Sequence, residues 1–112
     1  MPESLPENAV VRVSRVTFDP DLYDEVTVVD GKTAQYLIPA IQQLPGLLHW
    51  FAGVSAEGSF VQISVWDSEE HAVQMDRLTE MAVIARGEFR EVGVEFTPEH
   101  ASIVNYPITW TI

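Results

Sequence analysis

Residues 46–75, GLLHWFAGVSAEGSFVQISVWDSEEHAVQM, read as a strand, a tight turn, a second strand and a helix. Between residues 60 and 66 the pattern alternates, with Val61, Ile63 and Val65 on one face and Phe60, Gln62, Ser64 and Trp66 on the other. The preceding strand, residues 47–55, sets Leu48, Trp50, Ala52 and Val54 against Leu47, His49, Phe51 and Gly53. Both of its faces are mostly apolar, which predicts a sheet covered on both sides. Ala56-Glu57-Gly58 supplies the hairpin turn. Asp67 or Ser68 can cap the following helix, and Glu69 and Glu70 place carboxylates at its positive end.

Working outward, residues 9–18 (AVVRVSRVTF) form a strand, with Val11, Val13 and Thr17 facing one way and Val10, Arg12, Ser14, Val16 and Phe18 the other. A buried arginine is rare, so Arg12 is expected near a strand end or beside a partner. Residues 22–30 are ambiguous between helix and strand. Residues 33–44 carry Ala34, Leu37, Ile38, Ile41 and Leu44 at helical spacing, with Pro39 predicting a kink or a new start. Pro45-Gly46 ends that helix. After the central unit, Thr79 can cap a helix whose inward side is Met81, Ala85, Phe89 and Val92. A closing strand is expected in two parts, residues 93–97 and 102–112, with Pro107 marking an edge or a bulge.

The resulting order, β–α–β–β–α–(α)–β, is an α+β, ferredoxin-like split βαβ arrangement with an antiparallel sheet. Helices cover one sheet face. The apolar residues of the other predict a partner, most simply a second copy of the chain in a homodimer. Residues 1–8 read as a flexible lead-in and residues 9–112 as a single domain.

Bulk properties narrow the function by exclusion. The chain has 112 residues, is 46% hydrophobic, and carries a net charge of -11 from 17 acidic residues against six Lys plus Arg. Its few basic residues are scattered, so it offers no surface for nucleic acid or anionic membrane. No apolar run is long enough to span a bilayer and no secretory leader is evident, which predicts a cytoplasmic protein. There is no cysteine, which excludes disulfides, thiolate metal sites and a cysteine nucleophile. No glycine-rich phosphate loop supports a nucleotide cofactor.

IPAIQQLPGLLHWFAG, VQISVWDSEEHAVQM and the closing aromatic strand together resemble the dimeric α/β-barrel superfamily, and within it the antibiotic-biosynthesis-monooxygenase-like proteins. The resemblance spans residues 9–112. It implies protomers that pair sheet to sheet into a barrel, each with a ligand cavity between sheet and helices. It also implies activities from cofactor-independent oxidation of polycyclic aromatic compounds to binding without chemistry, so whether this chain is an enzyme stays open. Haem-degrading members carry an asparagine on the first strand and a tryptophan and a histidine on later helices. Here the first strand lacks asparagine, and Met75 and Ala85 stand near the other two places. Haem degradation is therefore not expected.

The expected ligand is a small apolar or aromatic molecule, with no cofactor and no metal. Asp67, Glu70 and His71 are close in sequence, but capping already explains the acids there. His49 is the candidate base. Trp66 and Trp50 are candidate stacking walls, and Tyr36, Gln62 and Ser64 candidate hydrogen-bonding groups. Each has a competing structural reading: core packing for Trp66, a half-buried hydrogen-bonded side chain for His49. His71 is expected in the first turn of a helix, facing solvent, and His100 in a loop.

Overall fold

The computed structural model describes residues 5–112. Part of the expected lead-in, residues 1–4, lies outside the described residues. The elements are β1 (Val10–Thr17), α1 (Tyr23–Gln42), β2 (Leu47–Ser55), β3 (Ser59–Trp66), α2 (Glu69–Ala72), α3 (Thr79–Glu91) and β4 (Ala101–Pro107). Short 3-10 turns at Pro20–Leu22 and Val73–Arg77 complete the helical segments of the described residues. The strands form one antiparallel sheet in the order β2-β3-β1-β4, the ferredoxin-like topology.

The alternation of β1 decides which face meets the helices. Val10, Arg12 and Val16 are buried, and their row pairs with Trp66, Ser64 and Phe60 on β3. Phe60 and Phe89 stack at 4.8 Å and, with Val16, Val26, Val29 and Val94, form the main core cluster. Trp66 anchors a second cluster with Val10 and Ala72, against which Leu44, Leu47 and Met75 pack.

Several local expectations change. The ambiguous residues 22–30 are helical, because Val26 and Val29 extend the buried stripe of α1 back towards its start. That helix runs unbroken through Pro39; the Gln35 carbonyl that loses its donor lies on the exposed side, where water can serve it. Leu78, not Thr79, holds the cap position before α3. Residues 93–97 form no strand: Gly93 has a φ of 103° and turns the chain so that Val94 drops into the core. Pro107 does lie on an edge strand, but β4 stops there, so residues 108–112 of the expected closing strand form none, although the Ile108 N–H still reaches the Ala9 carbonyl at 3.0 Å.

One irregularity bears directly on the site. Leu47 pairs with Trp66 and His49 with Val65, so Leu48 is an extra residue in β2. This bulge separates Leu47 and His49, which strict alternation would keep together. Leu47 faces the helices with Trp66, and His49 faces the open side with Val65. The open side also carries Val11, Val13, Val61, Ile63, Phe51, Val104 and Tyr106. Of these, Phe51, Val104 and Tyr106 are exposed in the protomer.

Candidate functional site

A cavity of about 410 Å³ lies between the helix-facing side of the sheet and α1 and α3. Its walls divide by chemistry. Leu37 and Ile41 of α1, Phe89 of α3, and Phe60 and Phe96 give an apolar, aromatic side. The sheet contributes a polar strip of Arg12, Ser14, Gln62 and Ser64, with Trp50 beside it. Registers bring the strip together: Arg12 lies opposite Ser64 and Ser14 opposite Gln62 between β1 and β3, while Trp50 lies opposite Ser64 between β2 and β3. Same-face neighbours across a ladder stand close enough to act on one ligand.

Ser64 is 1% exposed and accepts a 2.8 Å hydrogen bond from the Trp66 indole nitrogen. Its own hydroxyl proton is thereby free to donate into the cavity. Arg12 is 6% exposed, and its guanidinium donates to Asp76 Oδ1 at 2.6 Å and, over a longer 3.4 Å, to Asn105 Oδ1. Buried cations need such partners. Arg86 of α3 also lines the cavity, its guanidinium 5.8 Å from the centre of the Phe96 ring.

Of the six residues singled out from the sequence, Trp50, Gln62 and Ser64 line this cavity. The other three lie elsewhere. Trp66 is fully buried in the second core cluster, one position beyond the polar strip, and reaches the cavity through the hydroxyl of Ser64. His49 is exposed on the opposite sheet face and stacks on Phe51 at 6.2 Å, so within this protomer it cannot reach a ligand in the cavity. The strand pleat puts it there, because its neighbour Trp50 faces the cavity. Tyr36 donates from its hydroxyl to Glu88 at 3.0 Å, across the α1–α3 seam, and does not line the cavity.

Tyr36 makes a testable electrostatic prediction. Burial, then the hydrogen bond and charge of Glu88, push its phenol from the ordinary 10.0 up to about 12. A raised folded-state value favours the neutral form. The contribution is therefore complete below pH 10.0 and is lost as pH rises to about 12. In Tyr36→Phe this segment of the stability–pH curve should flatten, read by urea unfolding between those pH values. An unchanged slope would contradict the assignment.

Arg12, Ser14, Phe89 and Phe96 were not on the list drawn from sequence. For Arg12 the signal was present, since a cation on an otherwise inward-facing row has to meet something. Phe96 gave none, because it sits in an irregular segment. His71 and His100 lie in the expected elements, but His71 is half-buried and bonded rather than facing solvent. Ser68 caps α2 by accepting from the His71 backbone N–H, and the His71 ring bonds Asp67 at 2.6 Å. His100 lies in the turn before β4. No group of three metal-ligating side chains occurs among the described residues, and none of their helices is long and apolar enough to cross a membrane.

No protein-family model and no curated protein sequence matches the chain. Solved structures do. A monooxygenase from the gene ActVA-Orf6 of Streptomyces coelicolor, in complex with nanaomycin D, is 17% identical with a TM-score of 0.68 over 95% of this chain and 92% of that one. SnoaB, a cofactor-independent oxygenase from Streptomyces nogalater, is 16% identical with a TM-score of 0.60 over 94% and 97%. NE2512, a protein of unknown function from Nitrosomonas europaea, is 12% identical with a TM-score of 0.64 over 95% and 94%. At such identities the likeness is one of fold.

Proposed function

We propose that this chain, which has the fold of the antibiotic biosynthesis monooxygenases, binds a small aromatic, polyketide-like molecule between its sheet and helices and oxidises it with molecular oxygen alone. The observation that carries the reading is the divided cavity: an aromatic wall on one side and a strip of hydrogen-bond donors on the other. Such a space takes a flat ring system by its apolar faces and orients it by its oxygens. The fold shared with a cofactor-independent oxygenase supports it.

The reaction balances as a methylene and O2 giving a carbonyl and water. Loss of one proton makes a carbanion, conjugated with a phenolate. This anion passes one electron to O2, the radical pair joins as a C–O bond, and the protonated peroxide loses water to leave the carbonyl. Ser14, Gln62 and Ser64 would hold the substrate's oxygens, and Trp50 would stack beside them. Among the described lining residues there is no carboxylate or imidazole. The proton would then pass to solvent, which suits a substrate whose methylene is already acidic, as in an anthrone.

That same observation favours a second reading, a ligand-binding protein without chemistry. An oxygen electrode separates the two. With 1,8-dihydroxyanthrone, oxygen uptake above the uncatalysed rate, one O2 per quinone formed, supports the oxygenase. Gln62→Leu should then lower kcat/KM by about tenfold or more, as loss of one hydrogen bond to an anionic oxygen implies. Tight binding with no uptake would retire the enzyme reading and leave the binding protein.

The open sheet face belongs to the same proposal. Its row of valines, Ile63, Phe51 and Tyr106 is covered most simply by the same face of a second copy, giving a two-fold dimer in solution.

A further inference from the structure

Arg12 and Arg86 line the cavity, and no acidic residue does so among the described residues. This is the reverse of the chain as a whole, whose net charge is -11. Arg12 is the more telling of the two, because it is buried inside a protein with abundant surface on which to keep a cation. A guanidinium has five N–H donors, and Asp76 and Asn105 engage only part of them. Only Nη1 and Nη2 have partners among the described residues, one each, and Arg12 lines the cavity, so donors remain for a ligand there.

Its counter-ion is weakly placed. The Asp76 side chain is 61% exposed, against 7% for that of Arg12, and Asp76 belongs to a short 3-10 turn. Water solvates the carboxylate and leaves the cation with an incomplete partner on the dry side. Ser64 and Asn105 flank it in register, adding polar groups around one point of the sheet.

We propose that the cavity selects an oxyanion, a carboxylate or phenolate carried on an aromatic ligand, and that Arg12 is the residue that determines this specificity. The inference rests on the ligand-binding reading of the cavity and not on whether oxidation follows. A charge-assisted hydrogen bond from a desolvated guanidinium is expected to favour the anion over its neutral isostere by about 10–100-fold. Asp76 tempers that preference by partly neutralising the cation.

The test compares 2-naphthoate with its neutral isostere 2-naphthamide, read by calorimetry on the purified protein. The wild type should bind naphthoate at least about tenfold more tightly. Arg12→Gln should erase the difference by weakening naphthoate far more than naphthamide, whose carbonyl loses at most a neutral hydrogen bond. Equal affinities in the wild type, or a preference that survives Arg12→Gln, would overturn the proposal while leaving the cavity as a binding site. If neither probe binds, both readings fall. Asp76→Asn covers the case in which Arg12→Gln does not fold, because Asp76 is largely exposed. It should raise the naphthoate preference about threefold or more by releasing the cation; no gain overturns the idea. Tighter binding of 2-naphthol once it ionises supports the phenolate, and its absence overturns that half of the proposal.

Discussion

Trp66→Ala lowers folding stability by about 3–5 kcal/mol, the range for removing a fully buried tryptophan. Its ring is 0% exposed and is the largest fully buried side chain of the described residues. Val10, Ala72 and Leu47 belong to three different elements and cannot all collapse into the space it leaves. For a domain whose total stability is of the order of 5–15 kcal/mol, this is a large fraction. Trp66→Phe should cost less, keeping most of the packing and losing the bond to Ser64. The contrast with Trp50 is the informative part. Trp50→Ala, half-buried at the cavity wall, should weaken binding of an aromatic ligand by about tenfold while costing less stability than Trp66→Ala. Urea unfolding and ligand titration on both variants check this; equal stability losses would mean the two tryptophans do not divide the work.

Ile63→Asp should convert the proposed wild-type dimer to a monomer at micromolar concentration. Ile63 sits on β3, with β1 and β2 on either side, and faces away from the helices. In a free protomer the new carboxylate is hydrated and the fold persists. In a two-fold interface it meets its own symmetry-related region, and each copy buries an unpaired charge. At several kcal/mol per site, the dissociation constant should rise by about a thousandfold or more. Analytical ultracentrifugation of both proteins, with circular dichroism to confirm folding, gives the answer. A wild type that sediments as a monomer at that concentration would remove the dimer.

The His49 expectation shows why the site was only half legible. Alternation of period two says which residues share a face, and it correctly grouped Gln62 and Ser64 with Phe60. It also set His49 on the face opposite Trp50, so only one of the two could line a pocket, but which face is hollow, and the bulge that carries Leu47 across to join Trp50, depend on what lies opposite β2. Leu48 is the extra residue there, and Leu47 and His49 part company. Trp66 fails differently. It lies on the cavity's face of the sheet, but Ala72 after the β3–α2 turn and Leu44 in the turn after α1 close over it. Which end of a sheet face is filled and which stays hollow depends on where the helices cross.

Residues 46–75 by themselves determined the strand–turn–strand–helix spine and a helix cap at Asp67 or Ser68, and with the strands and helices on either side gave the antiparallel α+β order. Those features rest on local spacing and turn chemistry, which neighbouring residues carry. Tertiary structure alone decided that Arg12 meets Asp76, 64 residues away, that Ser64 takes the Trp66 N–H while facing a hollow, and that the hollow is lined by cations. Long-range pairing and helix placement set those, and a buried charge in particular is defined by what surrounds it rather than by its neighbours in the chain.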